Sequence, residues 1–133
     1  MKLRRLFVAN TVVSIPFGVG SALAPHLFIS LFGATLSPAG ALMTQYGGAW
    51  LIGLGLLTWF TREAAGSQAG RGIATALLVA YLVALAASLL GQLGGALNLL
   101  GWIPVAIQLF FAVGLGYGLV IEARPTRRLA QKS

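Results

Sequence analysis

Two long stretches of the chain contain apolar and small residues and no acidic or basic side chain. One lies between Arg5 and Arg62, and the other lies between Arg71 and Glu122. A helix needs roughly 20 mainly apolar residues to cross ~30 Å of hydrocarbon, so each stretch has room for two spanning helices. The pattern predicts one all-α integral membrane domain over residues 1–133, with four transmembrane helices at about residues 6–24, 39–61, 72–92 and 102–121.

The connections between the predicted spans differ in polarity. Residues 25–40 hold two prolines and an apolar set without charge, which predicts a short helix at the outer membrane interface. Ser37-Pro38 is a typical helix start and predicts the beginning of the second span. Residues 62–71 are polar and rich in small side chains, which predicts a flexible loop.

Composition supports the membrane interpretation. Hydrophobic residues make up 58% of the chain and charged residues 8%, whereas a soluble domain carries about a quarter charged residues. A soluble core would need long buried helices without a polar outer face, which 133 residues cannot shield from water.

The basic residues predict how the spans are oriented. All nine Lys and Arg lie in the N-terminal segment, in residues 62–71 or in the C-terminal tail. The positive-inside rule then places both termini and the middle loop on the cytoplasmic side of an inner membrane, as two in-out-in hairpins that form a compact bundle. The charge bias disfavours insertion in two opposite orientations. The net charge of +7 therefore comes from basic segments that lie beside the lipid bilayer and determine the topology. No nucleic-acid partner is expected.

The N-terminal segment also resembles a secretory signal peptide. Lys2, Arg4 and Arg5 precede an apolar run, and Ala22-Leu23-Ala24 resembles a cleavage site. Pro25 directly after that site disfavours cleavage. We therefore interpret the segment as the first span.

Small residues recur at helical spacing in every predicted span, which is typical of helix faces that pack closely in lipid. The resulting helix-packing candidates are Ser14, Gly18 and Ala22 in the first span, Ala49 and Gly53 in the second, Ala76, Ala80, Ala84 and Ser88 in the third, and Ala112 and Gly116 in the fourth.

Few residues offer catalytic or metal chemistry. There is no cysteine, and Glu63 and Glu122 fall at the predicted cytoplasmic boundary. The predicted spans hold no ionisable acid or base, no Gly-x-Ser-x-Gly motif and no phosphate-binding loop. The sequence therefore predicts a protein that is not an enzyme, with no catalytic residue and no metal site.

The larger polar residues in or near the predicted spans are Asn10, Gln45, Tyr46, Tyr81, Gln92, Asn98, Gln108 and Tyr117. Four of them lie at the predicted outer helix ends. Gln45, Tyr46, Gln92 and Asn98 fall there, near His26. They predict either hydrogen bonds between helices or a small polar cavity that contacts a ligand. His26, the single histidine, is the only candidate to ligate one haem or pigment, and the favoured interpretation is an interfacial histidine beside a proline turn without a cofactor.

Several motifs together resemble a known group of proteins. They are the segment from Pro25 to Gly40, the run Tyr46-Gly47-Gly48-Ala49-Trp50-Leu51-Ile52-Gly53-Leu54-Gly55, Arg62, and Asn98-x-x-Gly101-Trp102-x-Pro104. In this layout the chain resembles small bacterial four-helix inner-membrane proteins of unknown function, loosely DoxX-like. The resemblance implies fold and location and assigns no functional residue.

Two functions follow as hypotheses. The first is a non-catalytic helical bundle that packs against other membrane helices, as an accessory or structural subunit or as a homo-oligomer, because small-residue faces exceed what one bundle needs. The alternative is a small carrier or channel for an uncharged or lipophilic solute. A lipid-modifying enzyme ranks last, since no acid, base or metal set is recognisable.

Overall fold

Most of the residues that the structure describes are helical. The structure is a computed structural model that describes the backbone of residues 2–132 and the side chains of residues 3–121. Within that range there is no strand, and the predicted all-α class is confirmed. The helices are α1 (Lys2–Leu23), α2 (Pro25–Ser30), α3 (Pro38–Thr61), α4 (Gln68–Leu93) and α5 (Trp102–Lys132), with 3₁₀ turns at Arg62–Ala64 and Leu99–Gly101.

Three helical segments among the described residues are long and apolar enough to cross a membrane. They are Leu3–Leu23, Gln68–Leu93 and Leu99–Ile121. The α3 helix is of comparable length, 24 residues, but falls outside that set. Gln45, Tyr46 and several glycines interrupt its apolar run. A transmembrane role for α3 therefore stays a prediction.

Two local predictions between α1 and α3 are confirmed. A short helix, α2, follows the first long helix and begins at Pro25. Pro38 occupies the first position of α3, where its missing N–H costs no hydrogen bond. Ser37 caps α3, because its Oγ accepts a hydrogen bond from the Gly40 N–H at 3.0 Å.

The connection between α3 and α4 is shorter than the predicted loop over residues 62–71. A 3₁₀ turn follows α3 directly, and α4 already begins at Gln68. Ser67 caps α4 by accepting a hydrogen bond from the Gly70 N–H at 3.1 Å. The turn is also packed, since Ala65 is 2% exposed and a Cβ at Gly70 would overlap backbone carbonyl oxygens of the turn. Capping and close backbone approach make this connection a short, compact turn.

The α1 and α3 helices pack antiparallel. At one end of the pair, Arg4 near the start of α1 forms an ion pair with Glu63, just after α3. At the other end, the Gln45 amide nitrogen donates to the Ala22 carbonyl oxygen at 3.3 Å. The start of each helix therefore lies beside the end of the other.

Glycines set the spacing between α1 and α3. A Cβ built on Gly48 would lie 2.6 Å from the Gly18 carbonyl oxygen, and one built on Gly18 would lie 2.7 Å from the Gly48 carbonyl oxygen. At Gly55 an added Cβ would lie 2.8 Å from a methyl carbon of Ile15. The two backbones come this close only because these positions lack side chains, as is typical of helix pairs in membranes.

The remaining long helices extend this pair into a bundle. The α4 helix packs against α5, where the Tyr81 and Phe111 rings stack with centroids 4.8 Å apart. The α1 helix also packs against α5, with Leu6 lying over Gly114. The buried core cluster comprises Leu3, Phe7, Ala65, Ala74, Leu77, Phe111 and Leu115.

The order of helices around the bundle is therefore α3, α1, α5, α4, and the helices at its two ends, α3 and α4, have few direct backbone contacts. The connections at the far end from Arg4 are joined to each other, since the Asn98 N–H donates to the Phe32 carbonyl oxygen at 2.7 Å. The Asn98 amide also donates to the Leu31 carbonyl oxygen at 3.1 Å. Hydrogen bonds thus connect the two turns at this end of the bundle, although α3 and α4 themselves pack little against each other.

Some predicted roles fall outside the described side chains. One is the predicted position of Glu122 at the inner boundary. The other is the topology signal of the terminal basic residues, which are Lys2, Arg124, Arg127, Arg128 and Lys132.

Candidate functional site

A buried polar network joins three helices near the middle of the bundle. Asn10 of α1 is 2% exposed, and its amide nitrogen donates to the Thr58 hydroxyl of α3 at 3.1 Å. The side-chain oxygen of Asn10, Oδ1, accepts hydrogen bonds from the Tyr81 hydroxyl of α4 at 2.5 Å and from the Ser14 hydroxyl at 3.2 Å. One amide therefore connects α1, α3 and α4.

The Thr11 hydroxyl extends this network along the α1–α3 contact. It donates to the Gly55 carbonyl oxygen at 2.8 Å and lies 3.0 Å from the Thr58 hydroxyl. Thr58 is fully buried, and its hydroxyl also lies within hydrogen-bonding distance of the Leu54 carbonyl oxygen. Hydrogen bonds between membrane helices contribute about 0.6 kcal/mol on average and up to ~1.7 kcal/mol. The network therefore helps to hold α1, α3 and α4 in register.

A cavity of about 150 Å³ adjoins the network. A second compartment of about 110 Å³ shares Ser14, Leu51, Tyr81 and Gln108 with it, so the two compartments adjoin each other. All four long helices contribute to the lining. The larger compartment is lined by Asn10, Ser14, Leu51, Leu54, Leu77, Ala80, Tyr81, Ala84 and Gln108.

Gln108 of α5 is the least satisfied polar side chain at the cavity. It lines both compartments, and its Oε1 is shielded from solvent without a hydrogen-bond partner. A buried acceptor left unpaired costs about 1–3 kcal/mol. A molecule in the cavity that donates an O–H or N–H to this oxygen would recover much of that free energy.

The cavity lining determines what can bind there. It combines hydroxyl and amide groups with apolar side chains and has no charged residue. A charged molecule would lose its hydration without a counter-charge, which costs far more than burying a hydroxyl group. A wholly apolar cavity of about 150 Å³ accepts benzene, so the space suits a small neutral molecule with one polar group, or water.

The outer-end residues that the sequence singled out lie elsewhere. Gln92 donates to the Asn98 carbonyl oxygen at 2.9 Å, and Gln45 bonds to α1. His26 and Tyr46 are exposed side chains. The structure brings Gln92 and Asn98 together, but none of these five residues lines the central cavity. Their ligand role and cofactor ligation by His26 stay predictions.

The predicted helix-packing residues fall into two groups. Ser14, Gly18 and Ala22 face α3, and Ala112 of α5 is buried. The other candidates are less buried on this single chain. The half-buried ones are Ala84, Ser88 and Gly116, and the exposed ones are Ala49, Gly53, Ala76 and Ala80.

Sequence reasoning treated Asn10, Tyr81 and Gln108 as separate polar residues and did not group them into a site. It also passed over Thr11 and Thr58. One available signal was position, because Asn10, Tyr81 and Gln108 each fall within a predicted span. Depth alone does not reveal which faces meet, so the grouping required the packed structure.

Two charged features lie at the opposite end of the bundle from α2. Arg4 donates to both carboxylate oxygens of Glu63, at 2.9–3.3 Å, and this hydrogen bonding and charge lower the Glu63 pKa from its ordinary value. The Arg62 guanidinium lies 3.8 Å from the centre of the Trp59 ring. A larger space of about 480 Å³ lies nearby, lined by Gly66, Gln68, Arg71, Gly72, Thr75 and Leu119.

Metal chemistry finds no support in the described part of the chain. Among residues 3–121, no three His, Asp or Glu side chains come together. Comparison with protein-family models, with curated proteins and with solved structures found no match to this chain. The resemblance to DoxX-like proteins therefore stays a prediction.

Proposed function

We propose that this chain is a four-span inner-membrane protein whose bundle binds a small uncharged or lipophilic solute, as a carrier or channel would, without catalysis. The observation that carries the proposal is the central cavity, where hydroxyl and amide groups adjoin an unpaired Gln108 oxygen and no charge. A mostly apolar cavity with a few polar groups, set between the helices of a bundle, is a typical ligand site.

Four spans are supported by the way α3 packs. It runs antiparallel to α1 and has a length, 24 residues, sufficient to cross the hydrocarbon. The ion pair of Arg4 with Glu63 is compatible with an N-terminus and a middle turn on the same, cytoplasmic side. The basic residues favour that side as the inner one.

Single-cysteine labelling tests the topology, because the natural chain has no cysteine. A membrane-impermeant maleimide added to intact spheroplasts should label Thr35→Cys and Ala96→Cys but not Gly66→Cys. Permeabilised cells should show labelling of all three variants, which serves as the control. Labelling of Gly66→Cys in intact spheroplasts would contradict the orientation.

Binding is tested with the protein in lipid nanodiscs and with toluene and phenol as small neutral probes. We expect saturable binding of about one molecule per chain above that of empty nanodiscs. Ala84→Phe, which fills the cavity, should abolish saturable binding. Ala87→Phe is the matched control, because Ala87 is exposed on the same helix and does not line the cavity. Absence of saturable binding by the natural chain would refute the proposed function.

A second candidate function, packing against other membrane helices, rests on a different observation. Among the described glycines, a Cβ at Gly47, Gly53, Gly72 or Gly116 would meet no atom within 4 Å. These open faces would allow another helix to approach closely. Native mass spectrometry should then show an oligomer that Gly53→Leu weakens, whereas a monomer without a co-purified partner would contradict this candidate.

A further inference from the structure

The central cavity extends to the outer surface between α3 and α4. Leu51 and Leu54 of α3 line it together with Ala80 and Ala84 of α4. Ala80 is exposed and Ala84 is half-buried, although both also line the internal space. The cavity is therefore not closed on this side.

The opening follows from how the helices pack. The bundle joins α3 to α1, α1 to α5 and α5 to α4, but α3 and α4 have few direct backbone contacts. Toward the end where α3 passes into α4, Ala65 and Leu77 belong to the buried core cluster and Leu54 packs against it. Beyond Leu77, Ala80 and Ala84 carry only methyl groups, which leave the space between α3 and α4 unfilled.

The depth of the opening indicates which phase it faces. Ala80 lies near the centre of the 26-residue α4, twelve residues after its start at Gln68. At 1.5 Å per residue, the middle of a spanning helix lies close to the midplane of the hydrocarbon. A molecule at the opening would thus come from the acyl chains and not from water.

We propose that the cavity receives its ligand laterally from the hydrocarbon core, between α3 and α4. The ligand is a compact neutral molecule with an apolar body and one O–H or N–H group that donates to the Gln108 Oε1. This inference rests on the proposed function and adds the chemical class of the ligand and its route.

The two parts of the proposal have a common physical basis. A small, mainly apolar molecule partitions from water into the bilayer. Access from the lipid therefore removes the need for an aqueous channel. In lipid the polar group of such a molecule has no hydrogen-bond partner, and the Gln108 Oε1 has none either. Bringing them together satisfies both groups at once.

The donor requirement is tested with phenol and toluene, which have nearly the same size but differ by a hydroxyl group. Affinities are measured in nanodiscs and expressed per concentration in the lipid phase. Gln108→Met keeps the side-chain length and removes the acceptor, and we expect it to weaken phenol binding by roughly threefold to tenfold while toluene binding is retained. Gln68→Met is the matched control, because Gln68 is exposed and lines neither compartment of the cavity.

The route is tested by kinetics. Ala80→Trp places a large side chain at the opening, and we expect it to slow association and dissociation of toluene by tenfold or more, measured by exchange NMR. Ala76→Trp, one turn away on the same helix and outside the lining, should leave both rates unchanged. Helical circular dichroism equal to that of the natural chain verifies that each variant is folded.

Each outcome separates this inference from the proposed function. If both probes bind and Gln108→Met lowers their affinities equally or not at all, the donor requirement is wrong although the cavity binds. If Ala80→Trp leaves the exchange rates unchanged, the lateral route is wrong. If neither probe binds the natural chain, the proposed function itself fails.

Discussion

The closest contact between α1 and α3 gives the sharpest prediction about stability. Gly48→Ala adds one methyl group, which would lie 2.6 Å from the Gly18 carbonyl oxygen and 2.7 Å from the Ala22 nitrogen. Both are backbone atoms, so no side-chain rotation relieves the overlap. The two helices would have to separate, which disturbs the packing along the whole pair.

The neighbouring glycine supplies the control. Gly47 lies on the same helix, and a Cβ there would meet no atom within 4 Å. Both substitutions gain the same intrinsic helix propensity of about 1 kcal/mol measured in water, so the difference between them isolates the steric cost. Overpacking typically costs about 1–3 kcal/mol, and we expect Gly48→Ala to be less stable than Gly47→Ala by that amount.

The assay is reversible unfolding in mixed micelles with increasing SDS, followed by circular dichroism and tryptophan fluorescence. The free energy of unfolding is compared for the natural chain and the two variants. Equal stability of Gly48→Ala and Gly47→Ala, within about 0.5 kcal/mol, would refute the close approach of α1 and α3.

Two further predictions concern individual hydrogen-bonded groups. Tyr81→Phe removes the hydroxyl that donates to Asn10 and should lower the free energy of unfolding by about 0.6–1.7 kcal/mol, whereas Tyr46→Phe on the exposed surface should have no effect. A loss no larger than that of Tyr46→Phe would contradict the buried hydrogen bond. In an NMR titration, the Glu63 carboxyl group should show a pKa below the ordinary value of about 4.3, because it is paired with Arg4. The pair therefore stabilises the fold above that value, and this stabilisation is lost as the pH falls through the lowered pKa. Arg4→Gln should raise the Glu63 pKa toward the ordinary value, and an unchanged pKa in that variant would show that the pair does not form.

The polar network and the cavity are consequences of the same packing arrangement. Asn10 forms hydrogen bonds with Thr58 of α3 and Tyr81 of α4, so α1 is linked to both helices without a charged group. The same arrangement keeps α3 and α4 apart and leaves a space beside Gln108. The cavity thus lies where α3 and α4 are linked through the Asn10 side chain and not by direct packing.

The sequence by itself determined the helical class and much of the local structure. Two charge-free stretches leave the backbone no partner but itself in an apolar phase, which dictates helices. Ser37 before Pro38 marked the start of α3 because capping chemistry is local. The extent of the connection before α4 was predicted wrongly, because its compact turn depends on the burial of Ala65 against other helices.

Only the tertiary structure decided which small and polar residues do what. Gly47 and Gly48 are equivalent in a sequence pattern, yet one lies open and the other touches the α1 backbone, because neighbouring residues on a helix point in directions about 100° apart. Asn10, Tyr81 and Gln108 are separated by 71 and 27 positions and became neighbours through packing alone. Local sequence patterns determine the helices, whereas the packing of helices that are distant in sequence determines the cavity.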